Sequence, residues 1–505
     1  MGEFRLAHIR GKLPVKSTLT DIRARCNRIP ELAAFGLHII DRLELLQDEV
    51  AKLNENDPSR VSYADVIQHL VILTRRKPLL VRLAKGDTVA LMFKELHVML
   101  DSVKSGLHRN VAKVAKDSAY SHLSNTYRDL TKWQKKWECN QVEHISLLTK
   151  LMENVTGRQL VMELKDDKMV EKVLRKLRQT IDKGVCGAML ELVKVSFDRV
   201  ASYCKLSDIQ FVDWFISEDD LLFDNVPATI GTFGTVRRAR WFHGGVCTRV
   251  MVKQVYPDTS NNTEDEFFCQ LDRWNNLLDE HILKFYGGSH ISTPRMFVCD
   301  CGPCNFRDFF IDWGNMKLFW PMFLQVAQGL KALHAQGIVH GSLKCSNIIV
   351  TDDKTVKLMD FGFDSVRTKA IVPTSVVATA LAAEVRWKPK EMLEESDLSE
   401  QRFESDIYSL GMCMIEAIEK KVPFHYATDM EATDKIMRGE RHRRPSTVHD
   451  SSWSLIEVLC DPDNSKRPSL DEVIERIHYL TQVHEEIETE VVHSEECNGR
   501  KVVKL

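Results

Sequence analysis

The chain has 505 residues, more than one ordinary hydrophobic core can organise, and a prior of roughly 150 residues per domain sets the expectation at two or more domains. Hydrophobic residues make up 44% and charged residues 28%, with only 23 Gly and 15 Pro, a composition that excludes disordered and fibrous classes. The net charge of −3 hides an asymmetry: residues 1–210 carry 36 Lys and Arg against 26 Asp and Glu, whereas the remainder carries 33 against 46.

The opening MGEFRLAHIR lacks an apolar signal stretch and the 13 cysteines are scattered, so a reducing, cytoplasmic setting is expected. No run of 18 apolar residues occurs, so no membrane-spanning helix is expected. From Glu31 to Leu53, apolar residues recur at three and four (Leu32, Phe35, Ile39, Leu43, Leu46, Val50, Leu53), which predicts one helix with a greasy stripe. Similar spacing predicts helices over 61–83, 88–106, 109–151 with a break near Asn140, 167–181 and 187–204. Breakers such as NENDPS and KGD separate them, so residues 1–205 read as an N-terminal bundle of antiparallel helices.

After a linker over 206–223 the texture changes to short β-branched runs and glycine turns, and residues 224–482 read as a second domain. The polar residues 483–505 read as a tail. Cys299, Cys301 and Cys304 lie close together, but no second cluster at metal-ligand spacing completes them, so they read as small buried thiols. No basic stripe interleaved with aromatics is present, which argues against nucleic acid as a partner.

"TIGTFGTV" fits a glycine-rich loop in which backbone N–H groups close over phosphates, with Gly231, Gly234 and Val236 in register. Seventeen residues beyond Val236 comes Lys253, at the end of "VMVK". Farther on come "HGSLKCSN", "KLMDFG", "VRWKPKEML", "SDIYSLGMCMIEAI" and "DPDNSKRPSLDEV". In this order the segment from about Asp224 to Leu480 resembles a protein kinase domain of the tyrosine-kinase-like serine/threonine group. The resemblance implies an all-α helical bundle followed by an α+β bilobal protein kinase fold.

It also implies ATP and Mg as cofactors and a role for each matching residue. Lys253 would hold phosphate, Asn347 and Asp360 would hold metal, and Lys344 would face the transferred phosphoryl group. The sequence departs from the family at the catalytic base, where an aspartate is expected and Ser342 stands, preceded by Gly341 in place of an arginine. A serine hydroxyl neither accepts a proton as a carboxylate does nor supplies its charge, and general-base groups contribute about 10²- to 10⁴-fold. A second departure is Gln270 at the position of the helix glutamate that partners Lys253; glutamine hydrogen-bonds an ammonium without neutralising it. Met251 replaces the small residue beside the adenine. Glu391 survives from the A-P-E element, with Arg467 as its expected partner. The activation segment between Phe361 and Trp387 carries Ser365, Thr368, Thr374, Ser375 and Thr379.

Three readings stay open. The leading one is a catalytically impaired pseudokinase that binds ATP and acts as a switch or scaffold in signal transduction. The second is an active serine/threonine kinase with an atypical catalytic loop. The third is a helical-bundle effector restrained by the kinase-like domain, meeting protein partners, an anionic membrane surface or further copies in an oligomer through its basic helices.

Overall fold

The structure is a computed structural model that describes residues 15–114, 119–183, 188–204, 209–230, 234–256, 263–362, 383–394 and 402–495. Contacts divide the chain into two compact units, Met1–Ala228 with Arg237–Val252, and Thr229–Val236 with Lys253–Leu505.

The first unit begins with α1 (Val15–Cys26), α2 (Pro30–Val50), α3 (Pro58–Leu73), α4 (Leu79–Ala84), α5 (Gly86–Val114) and α6 (Ala119–Glu153). It continues with α7 (Gly157–Met162), α8 (Asp167–Asp182) and α9 (Ala188–Ala201). The apolar stripe predicted for α2 is buried at Phe35, Ile39 and Leu43, which join Val66 and Leu70 of α3 and Phe93, Leu96 and Leu100 of α5 in one core. The rings of Phe35 and Phe93 stack with centroids 5.3 Å apart. A second core forms from α4, α7, α8, α9 and the C-terminal part of α6, around Leu80, Leu148, Leu160, Leu174 and Val193.

Several boundaries differ from the sequence expectation: α5 continues to Val114, past the end expected at 106, and the last helix continues to Glu495, into the stretch read as a tail. The helix expected over 61–83 is two helices, because Pro78 cannot donate a backbone N–H and stands as the N-cap of α4. No break occurs at Asn140, which lies inside α6. The α1 and α7 segments had no strong periodic signal; α7 is fixed locally by a capping box in which Thr156 and Gln159 satisfy one another's backbone N–H.

In the stretch read as a linker, Trp214, Phe215 and Ile216 are buried, and Gln179 Nε2 donates to the Phe215 carbonyl at 2.6 Å. Acidic residues 218–220 then meet lysines of the helices. Asp219 pairs with Lys77 and, at 2.9 Å, with Lys85. Lys176 reaches Asp220 at 2.7 Å, and Lys172 reaches Glu218 at 2.6 Å. Burial would raise the Asp219 carboxyl, but Lys85 and Lys77 overcome it and hold the group well below the usual carboxylate range. Strand β1 (Leu221–Phe223) follows.

Next come β2 (Thr229–Ile230), β3 (Gly234–His243) and β4 (Val246–Val255). β1 pairs antiparallel with β3, Leu222 opposite Arg240, and places Leu222 and Phe242 in the first helical core. β2 pairs with the start of β3, Thr229 opposite Val236.

The second unit continues with α10 (Thr263–Asn275), the antiparallel pair β5 (Phe285–Ser289) and β6 (Met296–Asp300), β7 (Cys304–Asn305), α11 (Phe306–Phe309) and α12 (Phe319–Ala335). β8 (Ile348–Val350) and β9 (Val356–Leu358) complete a small antiparallel sheet in the order β7-β8-β9. The rest is helical: α13 (Glu391–Glu394), α14 (Phe403–Glu419), α15 (Asp429–Met437), α16 (Asp450–Leu459) and α17 (Leu470–Glu495). α14 is buried from Ser405 to Ile418 and is the axis against which α12 and α16 pack. The whole is the expected helical region followed by a bilobal kinase fold. No helix among the described residues is long and apolar enough to cross a membrane.

His97 in α5 is buried, and Arg42 Nη1 donates to its Nδ1 at 2.8 Å, which fixes the ring as a neutral acceptor. Burial, then the Arg42 charge, push its pKa down to about 2. The unfolded ring protonates near its ordinary value, so the stabilisation is complete above about pH 6.5 and declines by about 1.4 kcal/mol per unit below it. Between pH 7 and pH 5 the helical region should therefore lose about 2 kcal/mol through this residue. Urea unfolding followed by helical circular dichroism at both pH values checks it, and His97→Gln should flatten the dependence by about one proton.

Candidate active site

The described site residues fall in the second unit, on strands β3 and β4 and on the segments that join its strands and helices. Gly234 opens β3 where the chain passes so close to its neighbour that a Cβ would stand 2.1 Å from the Gln254 carbonyl oxygen; no other residue fits. Val236 is half-buried on the same strand, while Gly231 lies outside the described residues.

Lys253, in β4, is buried with a side-chain exposure of 2% and forms an ion pair with Asp360. Asp360 has φ of 65°, a left-handed conformation uncommon outside glycine, and it precedes the buried Phe361. The Phe361 ring meets Trp274 of α10 edge-on at 5.5 Å. Around them Lys253, Ile282, Leu283, Phe297, Cys299 and Met359 line a small apolar cavity. Burial pushes the Cys299 thiol up to about 12, so it is an inert wall residue. Cys301 and Cys304, expected buried, are half-exposed, because they flank the turn into β7. Gln270 of α10 is buried against the turn after Asp360: its Nε2 stands 2.6 Å from where a Cβ on Gly362 would be.

The HGSLKCSN loop, between α12 and β8, carries Ser342, Lys344 and Asn347. Its buried backbone N–H groups need partners, and acids of α14 supply them. Asp406 accepts from His340 N at 2.7 Å and Gly341 N at 2.9 Å, and also from His334 Nε2 at 2.8 Å. Glu416 accepts from Cys345 N at 3.0 Å and Trp387 Nε1 at 2.9 Å. Gly341, expected at the position where the family carries arginine, has φ of 72°, a conformation that suits glycine. Asn347 Nδ2 donates to the Ser342 carbonyl at 2.8 Å, which leaves Oδ1 as its atom for a metal.

A small pocket beside this loop is lined by Gly341, Ser342, Lys344, Glu384, Trp387 and Ser409. Lys344 Nζ lies 2.6 Å from the buried Glu384 carboxylate, so the lysine expected to face a phosphoryl group is neutralised within the protein. Glu384, Asp406 and Glu416 had no assigned role in the sequence. The signal for the last two was an acid embedded in the apolar run of α14; Glu384 gave none, because it sits 40 residues from Lys344. The expected Glu391–Arg467 pair is present, bidentate at 2.5 and 3.2 Å, and closed off from solvent. The activation-segment residues Ser365, Thr368, Thr374, Ser375 and Thr379 lie outside the described residues.

A strand lysine paired with an aspartate at the head of a turn, and a catalytic-type loop hung from the acids of a buried helix, define the class: a protein kinase fold. Residues 228–477 match the family described as protein tyrosine and serine/threonine kinase, so the chain carries a protein kinase domain, of the tyrosine-kinase-like serine/threonine type. It is 24% identical over 276 residues to the serine/threonine-protein kinase STY46 of Arabidopsis thaliana, covering 53% of this chain and 46% of that protein. It is 32% identical over 282 residues to the Raf homolog serine/threonine-protein kinase of Caenorhabditis elegans, covering 52% and 33%. The serine/threonine-protein kinase STY17 of Arabidopsis thaliana is 28% identical over 278 residues, covering 53% and 46%. The matched region is thus less than half the length of each of these relatives.

Arg467→Ala leaves Glu391 buried without its cation, and breaking a buried pair from one side costs about 3–5 kcal/mol. Chemical denaturation of the kinase domain signal should show a loss of that size. Replacing both partners with methionine should recover much of it, since no charge is then left buried.

Proposed function

We propose that the kinase domain is catalytically impaired, binds ATP with magnesium, and serves the chain as a switch or scaffold in signal transduction. The observation that carries this reading lies in the loop pocket. A hydroxyl, Ser342, stands at the base position, and the one carboxylate among the described residues lining that pocket, Glu384, is committed to Lys344. Phosphoryl transfer depends on positioning and on charges aimed at the transferring group. Here the base is absent and the lysine's charge is spent within the protein.

Nucleotide binding is supported by the donor set. Lys253 offers an ammonium for phosphate oxygens, and Asp360 with Asn347 Oδ1 offers hard oxygen ligands suited to magnesium. Magnesium, when bound, would neutralise phosphate charge. For that, the Lys253–Asp360 pair has to open or be shared, so nucleotide would be felt directly at the Asp360–Phe361 turn. That coupling is what a switch requires. The basic helical region is the proposed output, through an acidic protein partner, an anionic membrane surface or self-assembly.

A second reading, an active serine/threonine kinase, is favoured by the placement of Glu384, the one acid among the described residues lining the loop pocket. Purified full chain with γ-labelled ATP and magnesium separates the two. The impaired reading expects little transfer in the wild type and a rise of up to about 10²- to 10⁴-fold in Ser342→Asp. Robust wild-type transfer that is lost in both Lys253→Ala and Glu384→Gln overturns it and installs Glu384 as base. Nucleotide binding is checked by thermal shift: ATP at about 100 times its Kd should add about 2.7 kcal/mol, and Lys253→Ala should remove that gain.

A further inference from the structure

Among the described residues, two groups of side chains bring three metal-ligating atoms together in the second unit: Cys345, Cys413 and Glu416, and Glu419, His425 and His442. The first is a closed hydrogen-bonded hub. Cys345 Sγ donates to the Cys413 carbonyl at 3.3 Å, and Glu416 Oε2 accepts from Cys345 N and Trp387 Nε1. Burial holds the Cys345 thiol well above its ordinary range, so it does not offer a thiolate.

The second group is different. Glu419 is the last residue of α14, His425 lies on the loop that follows, and His442 lies between α15 and α16. His442 has a side-chain exposure of 0%. Its Nδ1 is 2.7 Å from the Arg443 carbonyl oxygen, so Nδ1 carries the hydrogen and donates it. Nε2 is then a bare lone pair, and it faces Glu419 Oε2 at 3.6 Å. Neither His442 Nε2 nor Glu419 Oε2, both buried, has a hydrogen-bond partner. His425 Nδ1 comes to within 3.2 Å of the same Glu419 oxygen.

A lone pair aimed at a carboxylate oxygen is repulsive unless a positive centre lies between them. That centre is a proton or a metal ion. The geometry suits a metal. In a tetrahedral zinc site, metal–ligand lengths near 2.0–2.2 Å place ligand atoms ~3.3 Å apart. The observed separations of 3.2 and 3.6 Å bracket that value, and all three ligand atoms lie within 4.8 Å of one another. The carbonyl that holds Nδ1–H is the outer-sphere partner a ligating histidine ordinarily has. His425 and Glu419, at 30% and 17% side-chain exposure, leave an entry path and room for water as a fourth ligand.

We propose that Glu419 Oε2, His425 Nδ1 and His442 Nε2 form a zinc-binding site that ties the end of α14 to the segment joining α15 and α16. The site is separate from the ATP cleft and owes nothing to the reading of the kinase domain as impaired. Neutral imidazoles and one carboxylate are a borderline-soft set, matched to zinc and not to magnesium.

The test uses the full chain stripped with EDTA and titrated with zinc chloride, then with cobalt chloride. The expected result is one equivalent of zinc with a raised thermal midpoint, and cobalt d–d bands in the visible without a thiolate-to-cobalt band. His425→Ala and His442→Gln should each abolish that equivalent and its bands. His425→Ala, at a partly exposed position, decides the matter alone if His442→Gln does not fold. No d–d absorption, a thiolate band in its place, or full retention of the equivalent in His425→Ala overturns the site.

Discussion

The buried carboxylate of Asp406 fixes the shape of the loop on which this domain's chemistry would turn. A loop that runs through the interior has no water for its backbone N–H groups, and each one left without a partner costs free energy comparable to a lost hydrogen bond. Asp406 accepts from His340 N, Gly341 N and His334 Nε2, and Glu416, further along the same helix, accepts from Cys345 N. The loop is therefore hung from α14 at both of its ends. None of these bonds involves the side chain of residue 342. That separation explains how the fold accommodates a serine at the position expected for the base: the backbone scaffold is set by acids whose role is structural and does not depend on the side chain at 342.

The same separation holds on the other side of the cleft. Gly234 is demanded by the Gln254 carbonyl alone, whether or not a phosphate is ever bound above it. Lys253 is buried, and a buried ammonium needs a counter-charge. Gln270, expected at the position of the family's helix glutamate, carries no charge, and Lys253 forms an ion pair with Asp360. The left-handed backbone of Asp360 and the edge-on packing of Phe361 on Trp274 accompany that pairing. A residue expected to hold metal is thus held by a residue expected to hold phosphate. The two charges expected to meet a nucleotide and its metal are thus paired with one another.

How much of this was legible in the sequence follows the range of the interactions. Periodic apolar spacing is local, so α2, α8 and most of α5 could be read from it, as could the order of the kinase motifs. Boundaries were less legible where a single residue decides them: Pro78 ends a helical run that periodicity alone carries through, and Asn140 is a poor helix former held inside α6. The Glu391–Arg467 pair was readable because each partner sits in its own motif. Glu384 was not, since its relation to Lys344 exists only once the chain has folded back across 40 residues. Asp406 and Glu416 fall between: acids in a run such as SDIYSLGMCMIEAI have to be compensated, yet the sequence does not say by what.

Charge asymmetry along the chain also takes a different meaning in three dimensions. Counting by sequence puts residues 218–220 with the acidic part, but in space they belong to the helical unit, where they face Lys77, Lys85, Lys172 and Lys176. Burial pushes Lys85 down to about 8 while Asp219 draws it back up, and Asp219 itself stays ionised because two lysines flank it. These lysines are therefore structural: they pin the segment entering β1 to the helices. A basic surface available to an anionic partner must be sought among the other cations of the helical region. The overall charge of that region says that such a surface can exist, whereas the pairs just described say where it does not lie.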